Sequence, residues 1–193
     1  MTADPITTTR DSDVALPSPR DVLVFWFEEL GAEDWFQQSD KVDDAIASRF
    51  KALHEHLARE QPDAWTDTPE AMLALIVALD QFPRNIWRGS AHAFATDPLA
   101  LRYARRIRDE GLADGFSNEM KLFAFLPFEH SEDRADQNDA VRLIEPLGGE
   151  YGDYAIKHRE VIERFGRFPH RNAALGREST KEEQDWLDAG GGF

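Results

Sequence analysis

The chain has 193 residues, no cysteine and a formal net charge of −15, from 37 acidic and 22 basic residues. That charge argues against a nucleic-acid partner, because phosphate binding needs a basic face, and it repels anionic membranes. Without cysteine there is no disulfide framework and no thiolate metal site. A chain of this length is most simply one domain, which buries roughly 70 % of its unfolded surface unaided.

Residues 1–17 hold Thr7-Thr8-Thr9 and three aspartates but no apolar stretch. They read as a disordered tail, not a signal peptide, ahead of a single helical domain over 18–193. Ser18-Pro19 supplies a cap and a first-position proline for the helix over Val22–Leu30. Ser39 opens the next, in which Val42, Ile46, Phe50, Leu53 and Leu57 form one apolar stripe. Thr68-Pro69-Glu70 opens a third. Its stretch from Ala71 to Leu79 is apolar without interruption, the mark of a helix buried on all sides.

Asp97-Pro98 begins a fourth helix, with Leu99, Tyr103, Ala104 and Ile107 inward and Gly111 at its end. Ser117–Leu126, Asp136–Leu147 and Tyr154–Phe165 follow, the last two stopped by Gly148-Gly149 and by Gly166. The eighth starts at Ser179-Thr180, where Thr180 and Glu183 have capping-box spacing, and ends at Asp188. Strand signals are nearly absent. No apolar run approaches the roughly 18 residues of a membrane span, and the cytoplasm is the expected location. The expected fold is all-α: about eight helices in stacked antiparallel pairs, because short loops make consecutive helices antiparallel neighbours.

Three segments interrupt this pattern in the same way. They are Leu79-Asp80-Gln81-Phe82-Pro83-Arg84-Asn85, Phe125-Leu126-Pro127-Phe128-Glu129-His130-Ser131 and Arg167-Phe168-Pro169-His170-Arg171-Asn172. In each, an apolar helical run ends at a bulky residue and proline, and a compact polar set follows. The prolines lie 44 and then 42 residues apart, a period typical of stacked helix pairs. The first pair has Trp35-Phe36 in place of a proline break. Stacking would bring the polar sets out at one end, into one site.

A helix end leaves free carbonyls and the negative end of the helix dipole. Cations there are stabilising by a few tenths to about 1 kcal/mol. Arg84, Arg88, His130, His170 and Arg171 all follow such ends. One reading is therefore C-terminal capping, with Asp80, Gln81, Glu129, Ser131 and Asp133 as structural partners. Asp80, at the end of a buried helix, requires a cation. The other reading is an anion pocket. From Arg164 to Arg177 the chain carries four arginines and His170 with no acid. The arginine fork suits bidentate anion contacts, and helix N-termini are expected at the same end. Arg84, Arg88, Arg164, Arg167, Arg171 and Arg177 would hold a phosphate or carboxylate, Asn85 and Asn172 would orient it, and His130 or His170 would act as acid or base.

These segments resemble a bacterial family known as domain of unknown function 924. The likeness rests on Leu79 to Asn85, on His130-Ser131-Glu132-Asp133 and on Arg164 to Asn172. It continues through Leu175-Gly176-Arg177-Glu178-Ser179-Thr180 to the glycine-rich end at Phe193, covering residues 20–193. The resemblance implies an all-helical, tetratricopeptide-like fold and no particular activity.

Other signals read as structural. His54 and His56 point to different sides of their helix and are expected at the surface, whereas His158 lies on a core stripe. Glu129, His130, Glu132 and Asp133 match no zinc spacing, so no metal is expected. Arg102, Arg105 and Arg106 read as a solvated face, Phe25-Trp26-Phe27 and Trp87 as core, and Gly190-Gly191-Gly192 as a loose tail. Neither a nucleophile elbow nor a phosphate-cradling loop is present, and no cofactor is expected. The expected function is a cytosolic helical protein that binds a small anionic metabolite, with acid–base chemistry left open. The alternative is an interaction module that holds a peptide or its terminal carboxylate. Ligand identity and oligomeric state do not follow from the sequence.

Overall fold

The computed structural model describes residues 15–193; most of the expected tail, residues 1–14, lies outside the described residues. Every regular element among the described residues is helical. Helix α1 (Pro19–Val24) begins with a reciprocal cap, in which Ser18 Oγ accepts the Asp21 amide and Asp21 Oδ2 accepts the Ser18 amide. It continues into a π turn over Phe25–Glu29. The short α2 (Ala32–Phe36) places Trp35 so that its indole donates to the Trp26 carbonyl at 2.9 Å. Ser39 caps α3 (Asp40–Leu57) and Thr68 caps α4 (Pro69–Asp80), each accepting the amide three residues on.

Next come α5 (Phe82–Ile86), α6 (Asp97–Asp109), α7 (Asn118–Glu129), α8 (Arg134–Ile144), α9 (Tyr151–Phe165) and α10 (Lys181–Asp188). Thr180 and Glu183 form the capping box of α10. Gly166 ends α9 in the left-handed region at φ 70°, a conformation that costs a non-glycine residue roughly 1 kcal/mol or more. Helix α4 is the centre, its residues Met72 to Leu79 all buried, and it packs against α1, α3, α6 and α7. Elsewhere α6 packs on α7, α7 on α8 and α8 on α9. Such neighbour-to-neighbour packing is compatible with stacked helix pairs. Phe82, fully buried, joins the layers through Phe25, Trp26 and Phe50, with ring centroids 6.3, 5.8 and 4.7 Å away.

Two expectations change here. Pro127 does not end its helix: α7 runs on to Glu129, and the His130 amide donates to the Leu126 carbonyl at 2.9 Å. A proline in the last turn forfeits one helical hydrogen bond, and the buried rings of Phe123, Phe125 and Phe128 hold that turn in place. Pro83 and Pro169 instead sit at the start of short helical turns, α5 and the 3-10 turn Pro169–Arg171. His54 is buried, not at the surface, with Nδ1 2.8 Å from the Ala78 carbonyl. That carbonyl is one of those left free at the end of α4, and the imidazole N–H satisfies it. No helix among the described residues is long and apolar enough to cross a membrane.

Candidate functional site

The three breaks meet. Asp80, the last residue of α4, is fully buried with Oδ1 2.8 Å from Nδ1 of His130, which caps α7. Gln81 Nε2 donates to the other carboxylate oxygen at 2.5 Å. Arg84 Nη1 donates to the Asp80 carbonyl and lies 3.5 Å from Oδ1, so the buried acid has the cation its position demanded. The same guanidinium forks onto Asp97, the first residue of α6, at 2.8 and 2.9 Å. From the third break, Arg171 Nη1 donates to that carboxylate at 3.2 Å. Its guanidinium lies over the rings of Phe94 and Phe168 at 4.6 and 4.7 Å. Asp97 therefore ties the first break to the third.

The protonation states diverge across a few residues. Burial pushes the Asp80 carboxyl up, but Arg84 and His130 outweigh it and hold it well below the usual range. Glu129, one residue before His130, goes the other way: burial, aided by the charge on Asp80, pushes it up to about 8. It is protonated at neutral pH. His158 of α9 lies 3.1 Å from Glu129 Oε1, but its Nδ1–H is committed to the Tyr154 carbonyl at 2.8 Å. Burial lowers His158 to about 3, so this contact joins two neutral groups and is no ion pair.

Burial and then Arg84 lower His130, while burial and then Arg171 bring His170 down to about 4. Ionised Asp80, protonated Glu129 and three neutral imidazoles thus share a small volume beside the Asp97 carboxylate. Groups whose environments push them apart in this way are the ones that acid–base chemistry uses. Arg171 is pushed down to about 10, by burial and then by Arg84, so Asp97 answers its charge only in part. Its Nε and the Nδ1 of His170 are buried without partners among the described residues.

The glycine-rich end is not loose, as expected from composition, but docked. The ring of Phe193 stacks on His158 with centroids 3.6 Å apart and 14° between planes, and it meets His170 edge-on at 5.7 Å. Beside it runs a surface trough of about 310 Å³ whose lining includes Lys157, Val161, Arg164, Phe165 and Trp186. Among the described residues, no group of three or more His, Asp or Glu is placed to hold a metal ion.

A family described as bacterial protein of unknown function (DUF924) matches residues 22–191. The chain belongs to the DUF924 family. It is also similar to a protein of unknown function from Agrobacterium tumefaciens whose structure is solved. The two share 43% identity and a TM-score of 0.84 over 89% of this chain and 97% of that one. No curated protein matches.

Not every residue expected at the site of this DUF924 chain reaches it. Asn85 and Arg88 turn to α3, where both bind Asp43, at 2.7 and 2.8 Å. Arg164 pairs with Glu182 at 2.9 Å and Arg167 with Glu183 at 2.6 Å. Arg177 pairs with Glu132 at 2.9 Å. Asn172 is buried, donating to Ser179 Oγ at 3.1 Å. The run without acids is thus answered by acids from α10 and from the turn after α7. Ser131 Oγ donates to Asp136 at 2.7 Å, and Asp133 caps α8. The residues that do converge are Asp80, Gln81, Arg84, Glu129, His130, His170 and Arg171. Sequence reasoning missed Asp97, whose only signal was its place before Pro98 at a helix start, and it set His158 aside as core.

Proposed function

We propose that this DUF924 chain binds a small carboxylate at Arg171 and moves a proton to or from it with His130. The observation that carries the reading is Arg171 itself: a buried guanidinium, incompletely neutralised, with a free Nε. A buried donor without a partner is rare in folded proteins and calls for a ligand or a water. His130 is suited to the base. Its Nδ1 is oriented by Asp80, it is neutral near pH 7, and the opposite nitrogen is then the acceptor. Charge balance selects the ligand class. Arg84 and Arg171 already face Asp80 and Asp97, which favours a monoanionic carboxylate over a phosphate dianion. Protonated Glu129 is the candidate acid.

The test is a thermal-shift screen of carboxylated and phosphorylated metabolites on the parent, Arg171→Gln and Arg164→Gln. Ligand at 100 times its dissociation constant adds about 2.7 kcal/mol of stability. A carboxylate that shifts the parent and Arg164→Gln but not Arg171→Gln supports the reading. If no ligand shifts the parent and Arg171→Gln alone lowers the melting point, Arg171 is a structural clamp. The trough beside Phe193 supports a second reading. Phe165 and Trp186 suit an apolar peptide segment, and Lys157, set against Glu160 in the same lining, suits an acidic group on it.

A further inference from the structure

A second cleft, between α8 and α9, shares no lining residue with the site above. It encloses about 240 Å³ and is lined by Arg134, Gln137, Asn138, Arg159, Ile162 and Glu163. Gln137 is fully buried, and its Nε2 donates to the carbonyls of Glu129 and Ser131, both at 2.7 Å. Because those partners are carbonyls, the amide orientation is fixed and Oε1 is the atom left over. That oxygen is buried with no donor among the described residues.

From α9, Arg159 Nε is buried with no acceptor in hydrogen-bond range; the carboxylate of Glu163 stands 3.6 Å away. Arg134, at the start of α8, donates from Nη2 to the Glu163 backbone carbonyl at 3.3 Å. By contrast Arg84, Arg105, Arg167 and Arg177 all reach a carboxylate within 2.9 Å. In a chain of net charge −15, two arginines at one cleft that hydrogen-bond no carboxylate, Arg159 having only the looser pair with Glu163, favour an added anion there. The orphaned Gln137 oxygen adds a condition: the anion must bring a hydroxyl proton.

We propose that the α8–α9 cleft binds a small oxyanion that carries an O–H donor, either hydrogen phosphate or a 2-hydroxycarboxylate. Its oxygens accept from Arg159 and Arg134, and its hydroxyl donates to Gln137 Oε1. A water molecule takes up about 30 Å³, so the cleft has room for such an ion and several waters. This inference stands apart from the reading of Arg171 and His130.

The test is a titration of the ¹⁵N-labelled chain with sodium phosphate, sodium lactate and sodium acetate at constant ionic strength and pH 6.5. Phosphate or lactate is expected to give saturating shifts at the Gln137 side-chain amide and the Arg159 Nε–H. Acetate, which lacks the hydroxyl, is expected to bind about tenfold more weakly than lactate, a difference of about 1.4 kcal/mol. Saturation by phosphate alone assigns the site to the free ion, and saturation by lactate alone assigns it to a hydroxy acid. Arg159→Met is the variant of choice, since Gln137→Leu would also release the carbonyls at the end of α7. Arg159→Met should keep the parent circular dichroism spectrum and lose at least about tenfold in affinity. If neither anion saturates, if Arg159→Met binds like the parent, or if acetate binds as tightly as the anion that saturates, the proposal is overturned and a bridging water fills the gap.

Discussion

His130 Nδ1 and Asp80 Oδ1, 50 residues apart in the chain, lie 2.8 Å from one another and join the end of α7 to the end of α4. The contact decides a tautomer. An ionised Asp80 accepts only, so the proton sits on Nδ1 and the lone pair on Nε2. Gln81 and Arg84 hold Asp80 in turn, so the imidazole is oriented by groups that are themselves fixed.

Asp80→Asn keeps the shape of the side chain and removes its charge. Breaking a buried ion pair costs roughly 3–5 kcal/mol. The low end is expected, because Arg84 keeps its fork on Asp97. Urea unfolding at pH 7 measures it, and a loss below about 1 kcal/mol would mean that Asp80 is not the anchor of this cluster.

Glu129 makes stability fall as pH rises. Its carboxyl is ordinary in the unfolded chain, near 4.5, and is raised to about 8 in the fold. Between those values the folded state holds the extra proton, so its stabilising contribution is full below pH 4.5 and lost as pH rises to 8. His158 and His170, lowered to about 3 and about 4, act oppositely. Their contribution is full above 6.5 and is lost as pH falls through the folded values. From pH 6.5 to 8 the Glu129 slope therefore stands alone among these three groups, and it reaches about 1.4 kcal/mol per pH unit. Glu129→Gln should flatten the fall measured by urea unfolding over that window. An unchanged slope would mean that Glu129 is ionised.

Much of this arrangement was legible in the sequence, and the reasons are local. Caps at Ser18, Ser39, Thr68 and Thr180 use side-chain oxygens within three residues of the amides they satisfy. The uninterrupted apolar run before Asp80 required a buried helix and hence a cation. Charge pairing across the fold was not legible. The arginines from Arg164 to Arg177 look free in the chain because Glu182, Glu183, Glu132 and Asp97 reach them from other elements. The same blindness hid Asp43, which draws Asn85 and Arg88 away. His54 was misjudged because its acceptor, the Ala78 carbonyl, belongs to a different helix.

Asp97→Asn should leave Arg84 and Arg171 facing one another without their shared carboxylate. The loss is expected at roughly 3 kcal/mol. Unlike most core lesions it should be partly repaired by added anion, since the two guanidiniums then make a vacant acceptor site. Melting curves in sodium sulfate and in sodium chloride of equal ionic strength check this. Equal shifts in both salts, or the same sulfate effect on the parent, would argue against a convergent pair.

Phe193→Ala should uncover His158. Burial is the main cause of its low value, and the Phe193 ring stacked at 3.6 Å supplies part of that cover. A ¹H–¹⁵N titration of the imidazoles should show His158 moving from about 3 upward toward the ordinary value of 6.5, with His54 unmoved because it packs on the Ala78 carbonyl and the Trp87 ring instead. A His158 titration identical to the parent would show that the ring does not rest there in solution.

Helix α4 has one further consequence. It touches α1 and α3 on one side of the chain and α6 and α7 on the other, and Met72 to Leu79 have no exposed face. In an array whose repeats each satisfy their own surface, pairs can be added or lost at the ends. Here the middle helix has no solvent-compatible face until helices from both sequence halves arrive, so neither half is an autonomous foldon. Its amides are expected among the last to exchange with deuterium, at rates that report the global unfolding free energy of the domain.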